Sequence, residues 1–190
     1  IFILKTPISF ISVFYVEEKY GFNNMSKKLF FRDSFIGFFF TIIFTIGAFY
    51  IFEFIFFNFN DYWWILFWLS FLSFNFVFLI IYPNFIAPIF NDFRKLTDEK
   101  LVRKINNLTN TSKFKVDDIF VMDGSKRSKH SNAYFTGLFG KKRIVFFDTL
   151  LNSLSYDEIN SVLAHEIGHY KMKPIQKSLF VSMFLSFAYF

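Results

Sequence analysis

The fold is decided by one apolar stretch, residues 34–82, which reads SFIGFFFTIIFTIGAFYIFEFIFFNFNDYWWILFWLSFLSFNFVFLIIY. Two windows of this stretch, 34–57 and 62–82, reach the roughly 20 apolar residues that a helix needs to cross a membrane. Only the short segment 58–61 separates them, so the connection between the two helices must be tight. The stretch therefore predicts two membrane-spanning helices that form a hairpin.

The composition of the whole chain also indicates a membrane protein. Of its 190 residues, 54% are hydrophobic, 25% are aromatic and 19% are charged, and 35 are Phe. A soluble domain has about 45–50% apolar and about 25% charged residues, so an ordinary soluble globule is excluded. A disordered chain is excluded as well, because it would lack the aromatic residues. The chain has no Cys, so any metal must be held by His, Asp or Glu.

Two shorter apolar stretches lie at the ends of the chain, at residues 1–16 and 178–190. We expect both to be parts of spans cut by the ends of this chain, the second being the start of a further span. With the loop 17–33 and the two central spans, residues 1–82 form a predicted N-terminal membrane region. The predicted fold class is mainly α: a multi-span helical membrane protein with an α+β soluble segment.

The basic residues predict which side of the membrane the polar parts face. Apart from Lys5, all of them lie in the loop 17–33 or after residue 82. By the positive-inside rule, these parts face the cytoplasm. This topology accounts for the net charge of +6, so we expect membrane lipid and no nucleic acid as a partner. The predicted location is the bacterial inner membrane, or the endoplasmic reticulum membrane if the source is eukaryotic.

Residues 83–173 have an ordinary composition and are the part of the chain that can fold in water. Apolar residues spaced along one helical face predict a helix over 96–108. Short runs rich in β-branched and aromatic residues, followed by turn and cap residues, predict three strands at 119–122, 132–136 and 143–147, a hairpin turn at 137–142 and a cap at Asp148. We expect a small sheet beside helices.

The best-defined soluble element is a helix over residues 156–173. It follows Ser155, which matches the N-cap of a capping box with Glu158 three residues further on. Apolar residues then keep to one broad face, and Pro174 ends the pattern. This helix carries His165-Glu166-Ile167-Gly168-His169, an H-E-x-x-H motif.

The spacing of the motif predicts a metal centre. Two His residues four positions apart project from the same side of a helix, so the imidazoles of His165 and His169 can meet at one ion. Glu166 lies about 100° round the helix and can act as general base on a water at that ion, with Gly168 leaving room beside it. We predict one Zn²⁺ at this helix. The alternative is that these side chains only decorate a polar helix face.

A hydrolytic zinc site needs a third protein ligand and an open position. His130 is the only other His, and its loop of polar and basic residues favours a solvated or hydrogen-bonding role over ligation. The third ligand is therefore expected beyond Phe190.

Several segments of the chain resemble one known family. In the polar part these are DGSKRS (123–128), HSNAYFTG (130–137), KRIVFFDTLL (142–151) and LAHEIGH (163–169), and before them EEKYGFN (17–23) and parts of 82–91. They resemble the type I CAAX prenyl protease family, which consists of integral-membrane zinc endopeptidases. Much of the sequence in these segments resembles bacterial members, and the resemblance covers nearly the whole chain.

The resemblance implies a seven-span enzyme whose helices enclose a large chamber, with the zinc helix facing it. It implies that His165 and His169 bind zinc, that Glu166 is the general base, and that a Glu on a later helix completes the site. We therefore expect this chain to be a fragment, inactive alone, that lacks the first span and the C-terminal third. Family members cut near the C-terminus of prenylated CAAX proteins and clear other membrane-associated polypeptides. The partner is then a peptide or protein substrate, although prenylated substrates are not expected in bacteria.

The segment Asn132-Ala133-Tyr134-Phe135 matches the family's stretch beside the active site, and Asn132, Ala133 and Tyr134 are its predicted substrate-binding residues. We predict that these residues form an edge strand that pairs with the substrate backbone, as extended peptides do at exposed sheet edges. An ordinary buried strand with Asn132 at a turn is the open alternative.

Other functions share parts of these patterns. A stress-related membrane quality-control metalloprotease has the same motif but fits the longer matches less well. An intramembrane site-two protease is disfavoured, because its motif lies inside a membrane-spanning helix. Here Lys171 and Lys173 directly follow the motif, and a polar segment precedes it. A non-catalytic membrane protein with a structural metal site would need four protein ligands. The sequence leaves the oligomeric state open.

Overall fold

A computed structural model describes residues 2–114, 116–137, 142–171 and 174–187 of the chain. The chain divides into two compact units, which are described separately. The first, called the helical unit, consists of Ile1–Gly21, Met25–Leu79 and Gln176–Phe190. The second, called the sheet unit, consists of Phe22–Asn24 and Ile80–Ile175.

The helical unit contains the long apolar helices. Its elements are α1 (Phe2–Ile11), a π-helical turn (Ser12–Glu17), α2 (Lys27–Asn58) and α3 (Trp63–Ile81). The last two residues of α3 already belong to the sheet unit. Two helical runs, Lys27–Asn58 and Trp63–Phe90, are long and apolar enough to cross a membrane, judged by length and composition. The two windows predicted as spans lie on α2 and α3.

The start of α2 differs from the sequence prediction. The helix begins at Lys27, so residues 27–33, predicted as part of a loop, are helical. The reason is the N-cap Ser26, whose hydroxyl oxygen accepts a hydrogen bond from the Leu29 N–H at 3.2 Å. The polar loop is therefore about two helical turns shorter than its composition indicated.

Aromatic rings hold α2 and α3 together as the predicted hairpin. Phe44 of α2 lies edge-to-face with Phe74 and Phe78 of α3, with ring centroids 5.4 and 5.8 Å apart. Towards the connection, Phe52 meets Phe67 at 5.2 Å. Edge-to-face pairs of this kind add specific geometry to apolar contact, which fixes the alignment of the two helices.

The sheet unit is built on a four-stranded mixed sheet. After a π-helical turn (Tyr82–Ile86) and α4 (Ala87–Phe90), the chain forms β1 (Phe93–Lys95), α5 (Glu99–Thr111), β2 (Asp118–Met122), a 3₁₀ turn (Gly124–Lys126), β3 (Ala133–Thr136) and β4 (Arg143–Phe147). The strand order is β1-β2-β4-β3. Strands β2 and β4 pair in parallel, and the other two pairings are antiparallel.

The remaining helices complete the fold. They are α6 (Asp148–Ser153), α7 (Tyr156–Lys171) and α8 (Pro174–Phe187). The predicted helix 156–173 is thus found as α7, with 172–173 outside the described residues. The apolar stretches 1–16 and 178–190 are helical where they are described, and their role as spans remains a prediction.

The core of the sheet unit lies on one face of the sheet. Helices α5 and α7 pack together, and α7 also packs against β3. Residues exposed by 5% or less fill the space between the helices and the sheet: Leu101, Ile105, Phe114, Ala133, Ile144, Phe146, Leu150, Ile159, Leu163 and Ile167. Burial of such side chains is the main favourable contribution to the stability of this unit.

Three local predictions for this unit need correction. Strand β1 was not predicted, because three residues are too few for an alternating pattern. The helix predicted over 96–108 begins at Glu99, since the Leu96 N–H instead donates to the Ile119 carbonyl oxygen and Asp98 is the N-cap. Asp148 is not a cap but the first residue of α6; Phe147, the last residue of β4, takes the N-cap position.

The predicted turn 137–142 lies between antiparallel neighbours. Thr136 of β3 pairs with Arg143 of β4, which is the register of a hairpin. Residues 138–141, which would form the tip of this turn, lie outside the described residues.

Candidate metal centre

The N-terminus of α7 is fixed by the capping box that the sequence predicted. The Ser155 N–H donates to the Glu158 carboxylate at 2.8 Å, and the Glu158 N–H points back to the Ser155 hydroxyl oxygen at 3.5 Å. The Ser155 hydroxyl also donates to Glu158 at 2.7 Å. These hydrogen bonds from Ser155 lower the pKa of Glu158 from its usual value.

Contacts from α5 hold the same end of α7. The Tyr156 hydroxyl donates to the carboxylate of Asp98, and Lys104 Nζ lies 2.6 Å from Asp157 Oδ1. The Tyr156 hydrogen bond, together with the backbone N–H of Leu101, holds the pKa of Asp98 below its usual value. Because Asp98 is itself the N-cap of α5, one carboxylate ties together the beginnings of two helices.

These α5 residues escaped the sequence analysis. Asp98 and Tyr156 are 58 positions apart, and Lys104 and Asp157 are 53 positions apart. No local spacing connects residues so distant in the chain. These contacts could be predicted only if it were already known that α5 and α7 lie side by side.

A buried stripe orients α7 around its own axis. Ile159, Leu163 and Ile167, spaced four residues apart, are exposed by only 1%, 0% and 3%. His165 and His169 lie off this stripe and are exposed, and Glu166 is half-buried. The core therefore anchors one side of the helix and leaves the side with the two imidazoles accessible.

The two imidazoles converge on one point. His165 Nε2 and His169 Nε2 are 2.9 Å apart, the ring centroids are 4.5 Å apart, and the rings are nearly perpendicular at 85°. Zinc–nitrogen bonds of about 2.0–2.1 Å allow two nitrogens this close to bind the same ion. The donor pair thus fits two ligands of one metal.

The surroundings of the pair are open on the side of Gly168. A Cβ atom placed on this glycine would have no atom of the described residues within 4 Å. This agrees with the expectation that Gly168 leaves room beside the ion.

The third ligand is not found within 2–114, 116–137, 142–171 and 174–187. In these ranges no three His, Asp or Glu side chains form a group that could hold a metal ion. The ring of His130 instead stacks on Phe22, with centroids 4.6 Å apart and the planes 14° from parallel. The described residues therefore bring together two imidazole nitrogens, those of His165 and His169. A third ligand beyond Phe190 stays a prediction.

Strand β3, an edge strand of the sheet, contains Ala133 and Tyr134 but begins one residue later than predicted, so Asn132 directly precedes it. Within the described part of the chain it pairs with β4 alone. The Phe147 N–H donates to the Asn132 carbonyl oxygen at 2.9 Å, which fixes the alternation of the antiparallel ladder. The backbone of Tyr134 therefore faces β4, whereas the backbones of Ala133 and Phe135 face the free edge.

The three predicted substrate residues consequently differ in their position. Asn132 is exposed, and its Oδ1 accepts the outward N–H of Ala133 at 2.8 Å. The Ala133 side chain is buried, with 5% exposed, while its carbonyl oxygen faces outward. Phe135, the last residue of the predicted segment, has its N–H and its carbonyl oxygen on the side of β3 that faces away from β4.

The fold and the site together define a class of protein: a multi-span membrane protein in which an H-E-x-x-H helix, anchored on a small mixed sheet, presents two converging imidazoles. Comparison of the sequence with models of known families leads to the same class. The model of peptidase family M48 matches residues 95–190, and that of the CAAX prenyl protease N-terminal region, described as five membrane helices, matches residues 1–92. The chain belongs to peptidase family M48, and its resemblance to the CAAX prenyl proteases is confirmed.

Individual relatives agree over nearly the whole chain. CAAX prenyl protease 1 of Saccharomyces cerevisiae is 43% identical over 99% of this chain and 42% of its own length. The homologue from Homo sapiens is 32% identical over 97% of this chain and 46% of its own. The crystal structure of Ste24p from S. mikatae superimposes with a TM-score of 0.89 at 42% identity, covering 96% of this chain and 43% of that one. The chain thus spans less than half the length of these relatives.

Membership of this family confirms the fold class predicted from the sequence. It also implies that the chain belongs to a membrane protein and that the protein uses a metal cofactor, since M48 is a metallopeptidase family.

Proposed function

We propose that the protein containing this chain is a membrane-embedded zinc metalloendopeptidase of the CAAX prenyl protease type. The observation that carries the proposal is the 2.9 Å approach of His165 Nε2 and His169 Nε2 on the accessible side of a core-anchored helix. The similarity to CAAX prenyl protease 1 proteins along the whole chain supports it.

In this proposal, His165 and His169 hold one zinc ion through their Nε2 atoms. Zinc, when bound, supplies a Lewis acid that lowers the pKa of water to about 7 and polarises a carbonyl. A third ligand is expected from the part of the longer relatives that this chain does not match. We assign it to a carboxylate, in line with the Glu that the family resemblance implies.

Glu166 acts as the general base. Glu166 lies between the two His residues in the chain and is half-buried, and we expect its carboxylate to reach a water at the ion without being a ligand. A carboxylate oxygen of Glu166 accepts the proton of the attacking water and delivers it to the amine nitrogen of the leaving peptide. The contacts at the N-terminus of α7 hold the helix, and with it Glu166, in place. Such positioning of a catalytic group contributes to the rate.

The edge of β3 is proposed to bind the substrate as an added strand. Ala133 and Phe135 offer outward backbone groups, Asn132 fixes the start of the edge, and Tyr134 secures the strand to β4. Because β3 packs against α7, an extended peptide on this edge would run close to the metal helix.

The substrate class and location follow from the same family. We propose a peptide or protein substrate of the kind named for the relatives, a CAAX protein processed near its prenylated C-terminus. The sheet unit faces the cytoplasm by the distribution of basic residues, in the endoplasmic reticulum of a eukaryote or the inner membrane of a bacterium.

The test uses the full-length protein with Glu166→Gln. This variant is expected to retain zinc, measured by metal analysis, and to lose peptide cleavage by about 10²–10⁴-fold, the usual contribution of a general base. Glu158→Gln is the matched control, because Gln serves equally in the capping box of the same helix. Cleavage retained by Glu166→Gln would contradict the enzyme assignment and favour a non-catalytic metal site.

A further inference from the structure

A cleft of about 370 Å³ lies on the face of the sheet that the core does not use. Its floor is formed by side chains that alternate with the core residues along β2, β3 and β4, and its rim by the segment between α3 and β1. The lining residues include Phe120, Tyr134, Thr136, Arg143, Val145 and Asn84. Since α5 and α7 pack on the other face, this cleft is separate from the metal centre.

Arg143 is the unusual residue of the cleft. Its Nε is buried and has no hydrogen-bond partner, while Nη1 donates to the neutral side chain of Asn84 at 2.8 Å. The guanidinium lies over the ring of Phe120, 5.7 Å from its centroid. No carboxylate among the described residues forms an ion pair with Arg143. A buried, unsatisfied donor on a permanent cation calls for a partner.

The free part of the guanidinium is the edge that binds oxyanions. An arginine has five N–H donors in a rigid plane, and Nε together with Nη2 forms a fork that matches two oxygens of a carboxylate or phosphate. Asn84 occupies Nη1, so a group that enters the cleft has to reach the buried and unpartnered Nε in order to use this fork.

Two hydroxyl groups add to the donor character of the cleft. Thr136 is the cross-strand neighbour of Arg143, and Tyr134 lies two residues before it on the same face. Neither hydroxyl has a hydrogen-bond partner among the described residues. Burial raises the pKa of Tyr134, with a smaller effect of Tyr82, and so keeps its hydroxyl a donor. Asp92, the acidic residue of the lining, is neutralised by Lys126 Nζ at 2.8 Å.

The position of the cleft along the chain indicates where the oxyanion comes from. Asn84 follows the last residue of α3, Ile81, by only three positions, in a helical run that is apolar enough to cross a membrane. At about 1.5 Å per residue, the rim of the cleft lies within one turn of the end of that apolar helix. Arg and Tyr at this depth are the residues that meet lipid headgroups.

We propose that this cleft binds the phosphate group of a phospholipid headgroup, with Arg143 as its bidentate ligand and Thr136 and Tyr134 as additional donors. The site does not use the metal centre of the proposed protease function, although Tyr134 and Thr136 lie on the strand that is proposed to bind substrate.

The experiment titrates the full-length protein in mild detergent with phosphatidylglycerol and counts bound lipid by native mass spectrometry. Arg143→Gln is expected to weaken lipid binding by about tenfold or more, because hydrogen bonds to charged groups are among the strong ones. Arg94→Gln is the matched control, since Arg94 is exposed on the same sheet and does not line the cleft. Its binding should equal that of the wild type. Equal binding by Arg143→Gln and the wild type would overturn the proposal.

Two further arms identify the source of the oxyanion. Inorganic phosphate alone, followed by ³¹P NMR, should bind more weakly than the lipid, and equal affinity would replace the headgroup by soluble phosphate. A short peptide with a free C-terminal carboxylate should not displace the lipid, and displacement would assign the cleft to peptide ends instead. If Arg143→Gln fails to fold, Arg143→Lys and Thr136→Val carry the test. Both should weaken lipid binding, and unchanged binding by both would refute the site.

Discussion

The two units of this chain use the same apolar residues in opposite ways. In the helical unit, Phe35 on α2 is 70% exposed, and most large side chains of α2 and α3 are likewise exposed or half-exposed. In the sheet unit, Phe146 is 0% exposed and lies in a core shared by a sheet and two helices. One unit is therefore made for a solvent of lipid and the other for water. The helices of the two units differ in hydrophobicity and in its arrangement: α2 and α3 are apolar on all sides, whereas α5 and α7 are apolar on one side.

This difference explains where chemistry is possible. A helix that is apolar all round has no side free for polar groups, whereas α7 needs only the stripe of Ile159, Leu163 and Ile167 for anchorage. The opposite side is then free for His165 and His169. The metal centre thus belongs to the unit with a one-sided core.

The largest expected difference between the units comes from a matched pair of leucines. Leu163→Ala removes a side chain that is 0% exposed and should cost about 2–5 kcal/mol of the free energy of unfolding of the sheet unit. Leu69→Ala on α3, where Leu69 is 45% exposed, should cost little in detergent. Hydrogen exchange of α7 amides reports the first effect. Tryptophan fluorescence reports the helical unit, because all three Trp residues lie on α3.

Equal losses from the two leucine variants would show that the apolar surface of α3 is packed as tightly as the core, and the comparison between the units would fail.

Two glycines sharpen the comparison at a smaller scale. A Cβ atom at Gly124 would lie 2.6 Å from Cδ2 of the Phe147 ring, so Gly124→Ala should destabilise the sheet unit by about 1–3 kcal/mol, as overpacking does. A Cβ atom at Gly47 in α2 meets nothing within 4 Å, so Gly47→Ala should stabilise its helix by up to about 1 kcal/mol. Denaturant unfolding of each full-length variant measures both. A neutral Gly124→Ala would mean that Phe147 moves aside freely.

The smallest expected effect is a difference in response to acid. Hydrogen bonding lowers the pKa of Asp98 in the folded state from its ordinary value of 3.8. A lowered pKa contributes stability at pH values above the ordinary one, and this contribution is lost as the pH falls through the folded value. The protection factors of the α5 and α7 amides in hydrogen exchange should therefore fall below about pH 4, while the tryptophan signal of α3 should not change.

Asp98→Asn is the control for this acid response. In this variant, the α5 and α7 amides should exchange faster at neutral pH, and their protection factors should fall less in acid. An unchanged acid response in Asp98→Asn would assign the effect to other carboxylates.

Periodicity made much of the molecule predictable. The capping box at Ser155 and the convergence of His165 with His169 depend on residues within about one turn of each other, and the two apolar windows depend on continuous apolar runs. Local geometry fixes such features, so they follow from spacing alone. What the sequence could not show were contacts between distant elements. Tyr156 meets Asp98 only because α5 lies beside α7.

The remaining errors had local physical causes. Helix α6 begins directly from the last residue of β4, which leaves Asp148 inside the helix, where it accepts hydrogen bonds from the backbone N–H groups of Thr149 and Ser125, each at 2.8 Å. The cleft at Arg143 was invisible for a different reason. Strand alternation shows that Arg143 faces away from Ile144, but not that a segment 59 positions earlier covers that face.

The short free edge of β3 has one more consequence. Because the side chain of Asn132 already occupies the outward N–H of Ala133, the groups of β3 that face away from β4 among the described residues are the Ala133 carbonyl and the backbone N–H and carbonyl of Phe135. So few contact points give neighbouring copies of the protein little to adhere to, which protects against aggregation. A visiting peptide has a single way to satisfy all three, and a slip by one residue would turn its side chains to the wrong side. In the proposed function, this edge would therefore hold a bound peptide in one register along β3.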